Sequence, residues 1–147
     1  MKETTLKFLR LVAIPCLFAL TLSCSKKPPP PAPPKIETLK LQVRTTSGVN
    51  QGRSVRMLVR RVNPKQFANE KYKDIVALAE RPDDSVLADQ LLRPLSKIHL
   101  RLPLEDGANV GVYFLFTRPQ TNSWKVLVPG TRGEVVVEAR LNRAYAL

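Results

Sequence analysis

The chain has 147 residues, with 24 lysines and arginines against 12 acidic residues, a formal charge of +12 and one histidine. This length allows one modest domain and excludes a nucleotide-binding domain joined to a substrate domain. A single histidine leaves little material for a metal site or an acid–base centre, while an apolar fraction of 44% is typical of a folded protein. The composition therefore indicates a small, basic, folded protein and disfavours an enzyme.

Residues 1–23 have the pattern of an export signal. Three basic residues precede an apolar run at 11–22 that is too short to cross a bilayer as a mature helix. The run ends in Thr-Leu-Ser-Cys, residues 21–24, which resembles the lipobox read by lipoprotein signal peptidase, with threonine where leucine is usual. We therefore expect cleavage before Cys24 and lipidation of its thiol.

The alternative is a plain secretory peptide that leaves Cys24 as a free thiol. Cys16 is the other cysteine of the chain and would be removed with the peptide, so lipidation explains the lone mature cysteine better. Ser25 follows Cys24, and by resemblance to the common sorting rule a serine there, rather than an aspartate, directs a bacterial lipoprotein to the outer membrane. The expected location is the periplasmic face of that membrane.

Residues 24–35 form a tether that holds six of the 13 prolines. Such a run adopts extended polyproline II, at about 3.1 Å per residue, rather than helix or sheet. The remaining residues, 36–147, keep a charge of +7, because six basic residues and one acidic residue precede them. We expect one basic folded body behind a short spacer.

Apolar residues alternate with polar ones in six segments of the body, which is the pattern of strands with one buried face. These predicted strands are residues 39–43, 55–59, 98–102, 110–116, 124–128 and 135–141. Leu58 and Val62 break the alternation of the second strand, which indicates cover on both of its faces. Short strands joined by turn-like loops predict a mainly β protein, an antiparallel β-sandwich with Phe114 and Trp124 in its core.

Two helices are predicted between the second and third of these strands. Asn63 as N-cap, followed by Pro64 at the first helical position, begins a helix that extends to Ala79 with apolar side chains along one stripe. A second, shorter helix, capped at residues 84–85, is expected through Leu92.

No catalytic constellation is evident in the sequence. The paired carboxylates Asp83-Asp84 and Glu105-Asp106 are typical of solvated turns, and His99 falls on the outer face of its strand. Sequence motifs for nucleophilic, metal-dependent or phosphate-binding chemistry are missing. We expect no catalytic residue, no metal ligand, no cofactor and no small-molecule substrate.

Basic residues cluster around the second strand: Arg53, Arg56, Arg60, Arg61 and Lys65. Such clusters bind nucleic acid or anionic surfaces, and export argues against nucleic acid as a partner. Two interpretations stay open. The cluster is a solvated strand face that keeps the protein soluble, or it binds an acidic partner or envelope anions such as peptidoglycan and lipopolysaccharide.

The order of the main features resembles one known family. After the export signal and Cys24 come a loop with Asn50 and Gly52, then Ser54-Val55-Arg56-Met57-Leu58-Val59, Phe67, Tyr72-Lys73-Asp74-Ile75, Val86-Leu87-Ala88, Val110-Gly111-Val112-Tyr113-Phe114 and Trp124-Lys125-Val126. This order is similar to that of the TssJ family (also called SciN or VasD), the outer-membrane lipoproteins of the type VI secretion system.

The resemblance implies a transthyretin-like sandwich on the inner leaflet of the outer membrane, where it binds the periplasmic part of the inner-membrane protein TssM. It places the partner-binding residues in the loop between the first two strands: Gly48, Val49, Asn50, Gln51, Gly52 and Arg53. Two rigid strands would present Val49, Asn50 and Arg53 at the tip of this loop with little ordering cost. The alternative for the loop is an ordinary hairpin connection.

Other functions stay open beside this resemblance. A pilotin or pilus-assembly lipoprotein also suits a proline-rich tether and a small basic body, and a module that binds envelope anions through the arginine-rich strand is a third interpretation. A periplasmic enzyme comes last.

Overall fold

The computed structural model describes residues 35–105, 107–130 and 133–147. The predicted signal peptide, Cys24 and the tether up to residue 34 lie outside the described residues, so lipidation and the domain boundary at residue 36 stay predictions. None of the described helices is long and apolar enough to span a lipid bilayer.

The described residues form two four-stranded sheets and two short helices. The elements are β1 Ile36–Thr45, a 3₁₀ turn Val49–Gly52, β2 Val55–Arg61, α1 Pro64–Asn69, α2 Tyr72–Glu80, β3 Val86–Leu92, β4 Lys97–Glu105, β5 Asn109–Leu115, β6 Lys125–Pro129, β7 Glu134–Arg140 and β8 Arg143–Ala146. Sheet A has the strand order β4-β1-β7-β8, and sheet B has the order β3-β2-β5-β6. The predicted β-sandwich with helices between its second and third strands is confirmed. Neighbouring strands are antiparallel except β1 and β7, which are parallel.

The two sheets pack face to face around one hydrophobic core. In β1 the alternate apolar residues from Leu39 to Val43 are at most 1% exposed, because every second residue of a strand lies on the same face. Leu41 lies opposite Val135 of β7, which continues this buried face. Phe114 of β5, a predicted core residue, is fully buried. The alternation in the sequence identified the inward face correctly.

The outer face of sheet B is covered as well. Leu58 and Tyr113 lie on this face and are fully buried, as the broken alternation of β2 predicted. The helices cover them: the ring centroids of Tyr113 and Phe67 are 5.9 Å apart, and those of Trp124 and Tyr72 are 5.1 Å apart. Trp124 is thus buried as predicted, but it belongs to the layer between sheet B and the helices.

The single helix predicted from Asn63 to Ala79 is two helices in the structure. Its start is as predicted, because the Asn63 side chain accepts a hydrogen bond from the backbone N–H of Gln66 at 2.7 Å. The first helix ends before Glu70, whose backbone is extended with φ −65° and ψ 130°. This break allows the Glu70 carboxylate to reach Arg60 of β2.

The second predicted helix is wrong, because residues 86–92 form strand β3. This strand pairs antiparallel with β2 at the edge of sheet B, and pairing with a neighbouring strand outweighs the helical spacing of its leucines. Residues 84–85, the expected helix cap, lie in a turn in which the Ser85 N–H donates to Oδ1 of Asp83 at 2.9 Å.

Candidate partner-binding loops

Four connections between strands lie at one end of the sandwich, which we call the loop end: residues 46–54, 93–96, 116–124 and 141–142. Strands that alternate in direction bring every second connection to the same end. Strand β1 starts at the other end and crosses the sandwich in ten residues, about 30 Å at the rise of a strand. The predicted binding loop, 48–53, therefore lies opposite the point where the tether joins the body.

The loop between β1 and β2 has a fixed conformation. Three of its backbone N–H groups donate to the carbonyl oxygen three residues earlier, at 3.1–3.3 Å: those of Val49, Gln51 and Arg53. The Val49 side chain is fully buried in the core. Asn50, Gln51 and Gly52 in succession have positive φ values of 46°, 62° and 77°. Non-glycine residues adopt this conformation when local contacts hold them there.

Asn50 joins this loop to the connection between β5 and β6. Its Oδ1 accepts a hydrogen bond from the N–H of Thr117 at 2.8 Å, and its Nδ2 donates to the carbonyl of Ser54 at 2.7 Å. Asn50 is only 6% exposed, so the prediction that Val49 and Asn50 lie at the tip of the loop is wrong. Both side chains hold the loop from inside. The exposed members of the predicted set are Gly48, Gln51, Gly52 and Arg53, and their role in binding stays a prediction.

The loop end is basic. Arg53, Arg93 and Arg118 are exposed there, each from a different connection, and the four connections contain no acidic residue. Sequence reasoning missed Arg93 and Arg118, which are far from Arg53 along the chain. Counting alternate connections of the predicted sandwich puts both at the end opposite to Arg53, because the missed strand β3 shifts the count by one. A surface of this charge is complementary to an acidic protein surface.

Two members of the basic cluster of β2, in contrast, are held in ion pairs. Arg56 donates to both carboxylate oxygens of Asp89, at 2.9 Å and 2.6 Å, and to the Ala79 carbonyl near the end of α2 at 2.7 Å. The hydrogen bond to Asp89 raises the pKa of Arg56. The Arg60 side chain is 11% exposed and pairs with Glu70 at 3.0 Å. Both open interpretations, a solvated face and an envelope-anion site, are wrong for Arg60, which is largely buried against Glu70. They stay open for the rest of the cluster, because the Arg56 side chain is 41% exposed and Arg53, Arg61 and Lys65 are exposed.

Glu70 is the centre of a polar cluster between α1 and sheet B. Its Oε1 accepts from Arg60 and its Oε2 accepts from the Tyr113 hydroxyl. Lys125 donates to the Phe67 carbonyl and, at 3.1 Å, to the Glu70 carbonyl, and its Nζ lies 4.7 Å from the centroid of the Phe67 ring. Burial raises the pKa of Tyr113 and lowers the pKa of Lys125. This cluster, which sequence reasoning missed, attaches the helices to the sheet.

The remaining sequence candidates are surface groups. His99 is exposed on the outer face of sheet A, as predicted, with its Nε2 3.0 Å from Oε1 of Gln42. Asp83 accepts hydrogen bonds from Ser85, which lower the pKa of its carboxyl. Within residues 35–105, 107–130 and 133–147, no three His, Cys, Asp or Glu side chains gather where they could hold a metal ion.

The architecture is that of TssJ-type lipoproteins. TssJ1 of Pseudomonas aeruginosa, described as a T6SS lipoprotein, has a TM-score of 0.60 at 14% identity, over 78% of this chain and 96% of that one. Serratia marcescens Lip, described as a membrane-bound component of the type VI secretion system, has a TM-score of 0.59 at 14% identity, over 76% and 97%. A chain of the structure described as the T6SS protein TssM C-terminal domain from EAEC has a TM-score of 0.64 at 21% identity, over 76% and 98%. These similarities of fold confirm the resemblance to the TssJ family.

Residues 56–138 match the family model described as IglE, N-terminal domain. The match extends over more than half of the chain, from β2 into β7, and the protein therefore belongs to the IglE N-terminal domain family. A comparison with curated protein sequences gives no significant match.

Proposed function

We propose that this protein is a lipoprotein of a type VI secretion membrane complex, anchored through Cys24 to the periplasmic face of the outer membrane. Its loop end binds the periplasmic part of the inner-membrane protein TssM, and the complex is thereby attached to both membranes. The role is structural and needs no substrate or cofactor.

The similarity of fold supports this proposal. TssJ1 is described as a T6SS lipoprotein and Lip as a membrane-bound component of the type VI secretion system. Each of these chains is matched over nearly its full length, so the body of this protein has the size of theirs. The third similar chain belongs to a structure described by the TssM C-terminal domain, which makes TssM the partner to test.

The observation that carries the proposal is the position of the loop end. The tether joins β1 at one end of the sandwich, and the four connections lie about 30 Å away at the other end. A bilayer that holds the N-terminal segment can therefore leave the loop end uncovered. A partner that spans the periplasm can reach these loops.

The geometry of the loop end suits a protein partner with an acidic surface. The loop at 48–53 is already rigid, so its ordering on binding costs little free energy. Its exposed part is small compared with the roughly 800 Å² that each partner buries in a standard interface. Arg93 and Arg118, which share the loop end with Arg53, extend the contact area and its positive charge.

Charge reversal at the loop end tests partner binding. The affinity of the protein for the purified periplasmic part of TssM is measured for the wild type and for the triple variant Arg53→Glu, Arg93→Glu, Arg118→Glu. We expect the triple variant to lose affinity at least about tenfold, because rim charges of this kind steer association and repel like-charged partners. The matched control reverses three exposed lysines beside or on the helices, Lys65→Glu, Lys71→Glu and Lys73→Glu, and has the same net charge.

The control variant should keep wild-type affinity within about twofold. An equal loss in both variants would mean that net charge, and not the loop end, determines binding. Wild-type protein that does not bind TssM, or that captures pilus proteins from solubilised envelopes instead, would contradict the proposal.

The lipid anchor is tested separately in cells that export the full chain. Cys24→Ser should move the protein from the membrane fraction to the soluble periplasm, because the acyl chains that hold it are then missing. Cys16→Ser, which changes a cysteine of the predicted signal peptide, is the matched control and should leave the protein in the membrane. Membrane retention of the Cys24→Ser protein would contradict the anchoring mechanism.

A further inference from the structure

The outer face of sheet A, which points away from the core, carries more basic than acidic side chains. We call this surface the basic face. Its basic residues come from all four strands of the sheet: Lys40, Arg44, Lys97, Arg101, Arg140 and Arg143. Its acidic residues are Glu105, Glu134 and Glu138. No helix or other sheet of the described residues packs on this face, whereas the outer face of sheet B is covered by α1 and α2.

The strand register places cations directly opposite one another on the basic face. Lys40 lies opposite Arg101, and Arg44 lies opposite Lys97 in the β1–β4 pair. A third pair of cations, Arg140 and Arg143, stands in the β7–β8 pair. Like charges directly across an antiparallel pair destabilise a sheet. Three such pairs on one face therefore lower the stability of the sheet. Residues that lower stability in this way are typical of functional surfaces.

The acidic residues of the face compensate only part of this charge. Glu138 pairs with Arg44 at 2.8 Å and with Arg140 at 2.5 Å. Glu134 lies beside Lys40 in the β1–β7 register, but their charged groups form no ion pair within 4.0 Å. Lys40, Lys97 and Arg101 are exposed and make no ion pair with any described residue. The β4 side of the face therefore presents three cations that are not held in ion pairs with described residues, and its charge is only partly balanced by Glu105 and Glu134.

The surface between β1 and β4 also has a depression beside two of these cations. Its volume is about 280 Å³, and it is lined by Lys40, Leu41, Gln42, His99, Leu100, Arg101 and Glu134. The two cations that flank it are the pair opposed across the strands. At the β8 edge of the same face, Tyr145 is 39% exposed and its ring lies 5.9 Å from the Arg140 guanidinium. Tyrosine and arginine side chains of this kind are favoured at membrane interfaces.

We propose that the basic face lies on the anionic phospholipid surface of the membrane, with headgroup phosphates between the opposed cations. This inference rests on the membrane anchoring in the proposed function. Extended as its prolines predict, the tether of residues 24–35 would span at most about 40 Å at 3.1 Å per residue, which would keep the body within reach of the bilayer. Phosphates supply the negative charge that is missing between the opposed cations of β1 and β4. Cations beside a membrane bind such anionic surfaces. The loop end is at the edge of this face and stays free for a protein partner.

Lysine footprinting on vesicles tests the proposal with the full chain. The protein is reconstituted from detergent into vesicles of phosphatidylcholine alone, or of equal parts phosphatidylcholine and phosphatidylglycerol, and is acetylated with an uncharged reagent. Mass spectrometry then follows Lys40 and Lys97 of the basic face and Lys71 and Lys73 on the helix side. We expect Lys40 and Lys97 to react about fivefold more slowly on the anionic vesicles, and the other two lysines to react equally on both. About 1 M salt should abolish the difference, because it shortens the Debye length to about 3 Å.

A matched pair of variants connects this protection to the basic face. Lys97→Gln with Arg101→Gln removes two cations of the face and should restore most of the Lys40 reactivity on anionic vesicles. Lys71→Gln with Arg81→Gln removes two exposed cations on the helix side and should leave Lys40 protected. In solution without vesicles, Arg101→Gln should raise the urea midpoint of unfolding, because it relieves the repulsion with Lys40.

Three results would overturn the proposal. One is equal reactivity of Lys40 and Lys97 on the two kinds of vesicle. Another is protection of Lys71 and Lys73 instead, which would place the helix side on the membrane. The third is protection that is the same on neutral vesicles and persists in high salt, which would indicate a cover other than anionic lipid. No secretion protein is present in the experiment, so these results leave the binding of TssM unaffected.

Discussion

Gly111 and Tyr113 lie two residues apart on the outer face of β5, and the tyrosine ring occupies the space above the glycine. A Cβ on residue 111 would stand 2.6 Å from the ring atom Cε2 of Tyr113, closer than non-bonded carbon atoms approach. The missing side chain allows the ring to lie along the strand and its hydroxyl to reach Glu70. A glycine in the middle of a strand thus holds the polar cluster in place.

Gly111→Ala should destabilise the protein by about 2 kcal/mol, because the added methyl group displaces the Tyr113 ring and its hydrogen bond to Glu70. The free energy of unfolding in urea measures this change. Gly133→Ala is the control, since a Cβ there meets no atom within 4 Å, and it should stay within about 0.5 kcal/mol of the wild type. Equal stability of the two variants would show that the ring does not need the space above residue 111.

Removal of both charges from the Arg60–Glu70 pair should cost less than the sum of the two single removals. Their side chains are 11% and 9% exposed, so Glu70→Ala leaves a nearly buried guanidinium without its partner and should cost about 3 kcal/mol. Arg60→Met should cost a similar amount, and the double variant should be more stable than the sum of the single effects predicts by at least about 1 kcal/mol. Urea unfolding of all four proteins gives this coupling energy. Additive effects would mean that the two groups do not interact.

Asn50→Ala should destabilise the loop without removing any exposed side chain. The substitution leaves the Thr117 N–H and the Ser54 carbonyl without their hydrogen-bond partner, and we expect a loss of about 2 kcal/mol. Gln51→Ala, at a neighbouring position that also has positive φ but an exposed side chain, should cost less than about 0.5 kcal/mol. Faster amide hydrogen exchange at Thr117 in Asn50→Ala, but not in Gln51→Ala, would show that the loss of stability comes from the missing hydrogen bond to Thr117. Unchanged exchange there would contradict the contact.

Glu138 should make the stability of the protein depend on acid pH. Hydrogen bonding from Arg140, with a further contribution from Arg44, lowers the pKa of its carboxyl below the ordinary value of 4.5. A lowered pKa in the folded state contributes stability that is present above pH 4.5 and is lost as the pH falls towards the folded pKa. Both arginines are about half exposed, so solvent screening limits this contribution to about 1 kcal/mol at most.

Urea unfolding of the wild type and of Glu138→Gln, from neutral pH down to about pH 3, measures this dependence. We expect the difference in stability between the two proteins to shrink below pH 4.5. Glu134→Gln changes a carboxylate that forms no ion pair with a described residue, and it should not reproduce this convergence. A constant difference between the wild type and Glu138→Gln at all pH values would contradict the predicted role of the carboxylate.

The elements that the sequence predicts well are those whose signal is local. The alternation of Leu39, Leu41 and Val43 depends on the geometry of one strand, and the helix cap at Asn63 depends on residues three positions apart. The predicted helix at residues 86–92 was wrong for the opposite reason. Its leucines are compatible with helical spacing, and the contact that makes the segment a strand is with β2, more than 25 residues away.

The candidate loop shows the same difference between features with a local signal and features that depend on distant residues. Glycine, serine and asparagine residues identify a turn at 47–52, and the structure has a turn there. The sequence does not reveal that Asn50 points inward, because its hydrogen-bond partner Thr117 is 67 residues away along the chain. The sequence also does not show that Arg93 and Arg118 lie at the same end of the sandwich as Arg53, since the three arginines belong to separate connections.

The sequence by itself determined the alternating strands and the basic charge, and it contains the export pattern and the proline-rich segment, because each of these can be read from the chain without knowledge of its contacts. Only the tertiary structure decided which strands are neighbours and therefore which charges face one another. Lys40 lies opposite Arg101 because β1 pairs with β4, and Arg60 contacts Glu70 because the single predicted helix is broken at Glu70 in the structure. Sheet order and register depend on the burial of whole sheet faces against one another. The residues that form these faces are far apart in the chain, so a local segment does not reveal the order or the register.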